Sequence, residues 1–179
     1  MTSDEEDVAA ILGGDADRFE RIVGRYKGPL MQLAMRFTGD RSTAEEMAHV
    51  AFVSCYRALG TWRRKSAFST WLFSIALNVY RSHLRRAQPS IPLDEELQSE
   101  TSLEETISEQ QEAAIVRRAV AFLPAKYRDP LVTFYFLDAD LAETAAILRL
   151  PESTVKTRLR RGRHLLAQRL ERQLSRGKR

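Results

Sequence analysis

Apolar residues recur along most of this chain at the period of an α-helix. Phe19, Ile22, Val23 and Tyr26 stand at i, i+3, i+4 and i+7, the spacing that lines one helix face. Gly28-Pro29 marks a break, after which Leu30, Leu33, Ala34 and Phe37 resume the pattern. Met47, Ala48, Ala51, Phe52, Cys55 and Leu59 form a second stripe, and Phe68, Trp71, Leu72, Ile75, Ala76 and Val79 a third. No segment alternates convincingly with period two, so the chain is predicted to be all-α.

The stretch from Gln88 to Ala114 breaks this regularity. It opens with QPSIP, whose prolines oppose helix, and holds eight acids and no base. A charge block of this kind reads as a solvated, flexible tether. Helical stripes return at Ile115, Ala119, Phe122 and Leu123, then at Leu131, Phe134 and Tyr135. The predicted architecture is two small helical domains, residues 1–86 and 113–179, joined by a flexible acidic linker over 87–112.

Composition narrows the function classes. The one cysteine, Cys55, excludes an internal disulfide, lies on an apolar stripe where it reads as core, and fits a reducing cytosol. No apolar run approaches the ~18–20 residues that span a bilayer, and the acidic start MTSDEEDVAA is not a secretory leader. A soluble cytoplasmic protein is expected. His49 and His83 stand alone, with no second ligand at metal spacing, so neither a metal nor another cofactor is expected. Without a Gly-rich phosphate loop or a nucleophile–base pair, the chain is not expected to be an enzyme.

A net charge of only +4 conceals strong segregation. Between Glu46 and Asp94 there is no acid, while Arg57, Arg63, Arg64, Lys65, Arg81, Arg85 and Arg86 supply seven positive charges. From Pro151 to Arg179 ten Lys and Arg face two acids. Two basic patches, one per predicted domain, point to a polyanion touched at two places.

In the second half, Asp140 is placed to cap the short helix LAETAAILR, Leu150-Pro151 stops it, and a second helix starts near Pro151. Val155, Leu159, Leu166 and Leu170 form its apolar side, with Lys156, Arg160 and Arg163 on one exposed edge and Thr154, Arg158 and Arg161 on another. Two short helices and a tight turn match a helix-turn-helix, whose second helix reads bases in the major groove. Taken alone, the segment reads equally as a bundle helix with a solvated arginine face.

In the first half, TWRRKSAFSTWLFSIALNVYRSHLRR mixes aromatics with bases, the pairing that single-stranded nucleic acid requires. Phe68 and Trp71 fall on the apolar stripe and read as core, whereas Trp62, Arg63, Arg64, Lys65 and Ser66 precede the helix and read as a surface loop. Ser42, Thr43, Glu45 and Glu46 have capping-box spacing, with a partner contact through the two glutamates as the alternative.

Four strings, in order, carry a resemblance: GDADRFERIVGRYKGPLMQLAMRFTGDRSTAEEMAHVAF, FSTWLFSIALNVYRSHLRR, LPAKYRDPLVTFYF and STVKTRLRRGRHLL. Together they cover nearly the whole chain, which resembles a bacterial sigma factor of the extracytoplasmic-function group of the sigma-70 family. The resemblance implies a non-enzymatic factor that binds core RNA polymerase and directs it to promoters. It places Glu45, Glu46, His49 and Phe52 on the polymerase clamp. It gives Trp62, Arg63, Arg64, Lys65, Ser66 and Ser69 to the melted minus-ten element, and Asn78, Arg81, Arg85 and Arg86 to the adjacent DNA. The second domain would bind the polymerase flap and set Ser153, Thr154, Lys156, Thr157, Arg158, Arg160 and Arg161 on the minus-thirty-five element. An anti-sigma protein is implied as a further partner.

The chain departs from the family pattern at Val50, where an acid is usual, at Arg64, Arg149 and Ser153, where glycine is common, and at Thr144, where isoleucine is usual. Arg149 must accept whatever backbone the turn demands. The competing function is a helix-turn-helix repressor or activator that works without polymerase, which would have no need of WRRKSAFSTW.

Overall fold

The computed structural model describes residues 3–87 and 115–176, apart from 117 and 118; the predicted linker from residue 88 onward lies outside the described residues. All regular structure among the described residues is helical, as the periodicity implied. In the first half, α1 (Ser3–Leu12), α2 (Phe19–Thr38), α3 (Arg41–Ala58) and α4 (Phe68–Ala87) follow one another with short 3₁₀ turns at Ala16–Arg18 and Leu59–Thr61. In the second, residues 119–121 are helical and precede α5 (Ala125–Phe136), α6 (Leu141–Leu148) and α7 (Glu152–Arg176).

Helix α2 runs unbroken through Gly28-Pro29, contrary to the break expected there. Pro29 is exposed, so the carbonyl that loses its N–H partner faces water and the helix can bow on its wet side. The helix ends instead at Gly39, whose φ of 77° is left-handed and whose N–H returns to the Met35 carbonyl. Asp40 then caps α3 by accepting the Thr43 N–H at 2.8 Å. The cap therefore lies two residues before the Ser42 box expected from spacing, and Arg41 takes Glu45 in an exposed ion pair at 2.9 Å.

Helices α2, α3 and α4 pack as a three-helix core. Ile22, Leu30 and Leu33 meet Ala44, Ala48, Ala51 and Cys55, whose small side chains let α3 approach closely, and Leu72, Leu77 and Tyr80 close the other side. The Tyr80 hydroxyl is fully buried and donates to the Leu30 carbonyl at 3.1 Å, in the turn after Pro29. Burial pushes the Cys55 thiol up to about 12, so it behaves as a small apolar side chain, in line with its position on the stripe.

Helix α1 is fastened by charge as well as by Val8 and Ile11. The Asp7 carboxylate is 2% exposed and meets Arg25 at 2.6 Å, Arg18 at 3.5 Å and Arg21 at 3.8 Å. Asp4 accepts from the Tyr26 hydroxyl at 2.7 Å and pairs with Arg25 at 3.0 Å. The acids of the N-terminus thus clasp the arginines of α2.

The two halves also touch. Asp129 on α5, 4% exposed, takes Arg81 of α4 at 2.6 Å and its neighbour Arg128 at 3.2 Å. The Arg128 guanidinium lies 4.9 Å from the Phe37 ring, and that of Arg36 lies 3.9 Å over Phe136. Buried apolar residues of α4 and α6 join in one continuous cluster.

Two outcomes follow from these ion pairs. The hydrogen bond from Arg25, together with the neighbouring guanidinium charges, holds the Asp7 carboxyl below its ordinary range. The pair therefore contributes fully above the unfolded-state value of ~3.9, and is lost as pH falls through the lower folded value. Asp7→Asn is expected to cost about 2 kcal/mol at pH 7, with the gap to the parent closing in strong acid, as measured by denaturation across pH. Asp129→Asn leaves Arg81 and Arg128 facing a neutral group at a cost of about 3 kcal/mol. Small-angle X-ray scattering is expected to record a larger radius of gyration, because this ion pair helps to hold the two halves together.

Candidate nucleic-acid interface

The turn between Leu59–Thr61 and α4 is pinned at its base. The Thr61 hydroxyl donates to the Ala58 carbonyl at 2.7 Å, and the Trp62 indole N–H donates to the Ser66 carbonyl at 3.2 Å. The Trp62 ring meets Phe68 edge-on at 5.1 Å, and Phe68 in turn meets Trp71 and Tyr26. Trp62 is therefore half-buried and holds the loop, while Arg63, Arg64 and Lys65 stand exposed at its tip. Arg64 sits at φ 56°, in the left-handed region where glycine is at ease, and an L side chain there carries a cost of about 1 kcal/mol. Phe68 is core as the stripe implied, and Ser66 and Ser69 are half-buried.

Along α4, Asn78, Arg85 and Arg86 are exposed. Arg81 is not free in the same way, since its Nε is held by Asp129. Sequence gave no sign of this, because the two residues are 48 positions apart and lie in different predicted domains. On α3, Glu45, Glu46, His49 and Val50 form an exposed strip. Phe52 does not belong to that strip: it is 8% exposed and packs edge-on against Phe19 at 6.3 Å.

The second basic surface is built by a tightly capped pair of helices. Asp140 accepts the Glu143 N–H at 2.7 Å and donates its own N–H to the Glu143 carboxylate at 3.1 Å, a full capping box. At the far end Arg149 turns left-handed, φ 55° and ψ 47°, while its N–H and that of Leu150 return to Ala146 and Ala145. This is a Schellman stop followed by Pro151, and α7 starts at Glu152. Val155 and Leu159 form the buried side of α7; Ser153, Lys156, Thr157, Arg160 and Arg161 are exposed, with Thr154 and Arg158 half-buried. Thr144 is fully buried on α6, and its hydroxyl has no hydrogen-bond partner among the described residues. A glycine missed by sequence reasoning sets the crossing of α7 over α5. A Cβ on Gly162 would lie 2.9 Å from Leu131 Cδ1 and 3.2 Å from the Tyr127 carbonyl oxygen.

Two basic surfaces, a pinned loop and a capped helix-turn-helix now stand in chain order, and residues 22–89 match the family Sigma-70 region 2 while residues 113–166 match Sigma-70, region 4. The chain is 32% identical over 176 residues to the ECF RNA polymerase sigma factor SigW of Bacillus subtilis, covering 91% of this chain and 94% of that one. The chain belongs to the extracytoplasmic-function sigma factors. The ECF RNA polymerase sigma-E factor of Escherichia coli is 31% identical over 180 residues, covering 92% of each chain. The fold of CnrH, solved in complex with the cytosolic domain of CnrY, superposes with a TM-score of 0.73 at 24% identity, over 95% of this chain and 98% of that one. The function of this chain is that of an alternative sigma factor in transcription initiation.

Among the described residues of this sigma factor, no helix is long and apolar enough to cross a membrane, and no group of three or more His, Cys, Asp or Glu is arranged to hold a metal ion. Because only glycine enters the left-handed region without penalty, Arg149→Gly is expected to stabilise the helix-turn-helix by about 0.5–1 kcal/mol, after the entropy of a freer unfolded chain is subtracted. A rise in thermal midpoint, with promoter preference unchanged, is the expected measurement.

Proposed function

We propose that this sigma factor binds core RNA polymerase in the cytoplasm and brings it to one class of promoters, performing no chemistry of its own. The observation that carries the reading is the presence of two exposed basic surfaces on separate halves of the chain, each within a matched sigma region. Residues 1–86 form the unit for the opened strand, and 113–179 the unit for duplex DNA. Glu45, Glu46 and His49 present the clamp-binding strip, with Phe52 supporting it from the core. Arg63, Arg64 and Lys65 offer charge to the phosphates of the unstacked minus-ten strand, on a loop that Trp62 pins through the Ser66 carbonyl, with Ser66 and Ser69 beside them at the same element. Asn78, Arg85 and Arg86 lie along the neighbouring duplex, joined by Arg81 once it leaves Asp129.

The second unit docks on the flap and sets the start of α7 in the major groove of the minus-thirty-five element. A stretch between the units fixes how far apart the two elements are read. An anti-sigma protein is the regulator proposed, on family grounds.

Reconstitution with core polymerase and a promoter library tests the reading. Transcripts from one promoter class are expected only when this chain is added. Specific DNA binding by the free chain, with no polymerase-dependent transcript, would instead identify an ordinary helix-turn-helix regulator. Lys156→Ala and Arg158→Ala are each expected to lower use of promoters that depend on the upstream element by about tenfold, with core binding retained. Loss of core binding in either variant would remove that residue's edge of α7 from the DNA-reading assignment.

A further inference from the structure

The residues assigned to the minus-thirty-five element do not share one face. Thr154, Arg158 and Arg161 stand at i, i+4 and i+7 and line an open cleft of about 360 Å³ between α7 and the first turn of α5. Lys156 and Arg160, also four apart, lie outside it. The far wall of the cleft is made by Lys126 and Tyr127, to which the sequence assigned no role of their own.

We propose that this cleft grips one backbone phosphate of the duplex that α7 enters, with Lys126 and Tyr127 as new members of the DNA-binding site. The inference rests on the sigma-factor reading of α7 and divides its residues into two tasks. Arg158, Arg161 and Lys126 neutralise and position the phosphate, while Lys156 and Arg160 face the bases. Phosphate contacts fix register and base contacts specify sequence, so the two tasks are separable in experiment.

Four observations support the division. The cleft is lined by three cations and several hydroxyls, with no carboxylate among its walls. Asp129, three residues after Lys126, is directed away into Arg81 and Arg128. A hydrogen bond from Arg161, aided by the Lys126 charge, draws the Tyr127 phenol below its ordinary range, so the local field favours negative charge; the Lys126 ammonium lies 5.0 Å from the same ring. Finally, Gly162 lets α7 come close enough to α5 for the cleft to exist, because the Tyr127 carbonyl would lie 3.2 Å from any Cβ at that position. A concave, cation-walled cleft suits a projecting phosphate, whereas base edges at the floor of a groove need side chains that protrude.

The test uses the reconstituted holoenzyme on promoter DNA across a range of salt, with methylphosphonate linkages placed one at a time around the upstream element. Lys126→Ala is expected to weaken binding about fivefold on every upstream sequence alike and to reduce the log–log salt slope by about one. One methylphosphonate position should weaken the parent protein and leave Lys126→Ala unaffected. Tyr127→Phe keeps the ring and should give a smaller loss at the same position. Helix content and core affinity, unchanged in both variants, show that the fold is intact.

Identical methylphosphonate penalties in parent and Lys126→Ala would overturn the proposal. So would a response to inorganic phosphate with no methylphosphonate-sensitive position, which would assign the cleft to a free anion. In either case a changed base preference in Lys156→Ala would leave the sigma-factor reading standing; no effect of Lys156→Ala, Arg158→Ala or Arg160→Ala on promoter use would remove that reading's upstream assignment itself.

Discussion

One buried carboxylate joins the two halves of this sigma factor. Asp129 has almost no access to water, and a charge so placed is tolerable only because Arg81 from the facing helix and Arg128 from its own helix reach its two oxygens. Arg81 belongs to α4, Arg128 to α5, and Arg128 also lies against Phe37 of α2. The pairing therefore decides how the first three-helix core meets the second. It also bears on the DNA role proposed for Arg81, since an Arg81 that turns its Nε to a phosphate must first release Asp129.

The remaining cations are distributed with a consistent logic. Where arginines serve the fold, an acid is supplied for them, as Asp4 and Asp7 are for Arg25. The loop tip of Arg63, Arg64 and Lys65 and the exposed edge of α7 bear charge that the described ion pairs do not consume. Charge left in water at these places costs the fold little and attracts a polyanion over a Debye length of roughly 8–10 Å. The seven cations between Glu46 and Asp94 are thus divided between one interior contact, Arg81, and six that stand exposed.

Much of this was legible in sequence, for physical reasons that differ between elements. Stripes at Ile22, Ala48 and Leu72 fixed helices and their buried faces, because burial of one face is what periodicity records. Asp140 was legible as a cap because capping is local. Pro29 misled because a proline on the exposed side of a long amphipathic helix is tolerated, and exposure is not local information. The resemblance placed Phe52 on a partner and Arg81 on DNA; their contacts with Phe19 and Asp129 come from elsewhere in the chain and were not local information either. Lys126 and Tyr127 lie within the string LPAKYRDPLVTFYF, but nothing local marks them for DNA: they line the cleft only through the crossing of α5 by α7.

That crossing is controlled by two backbone positions rather than by side-chain chemistry. Arg149 sets the direction in which the chain leaves α6, and Gly162 sets the distance at which α7 passes Leu131. Between them lie about three turns of rigid helix, so the azimuth of every residue from Ser153 to Arg161 is fixed relative to α5. Successive residues differ by about 100°, which places Arg158 in the cleft and Arg160 well outside it. A helix docked with a different phase would exchange those two sets, bringing Lys156 and Arg160 to Tyr127 and sending Arg158 into the groove. The assignment of phosphate and base tasks is consequently a property of the helix packing, and the identity of the arginines alone does not contain it.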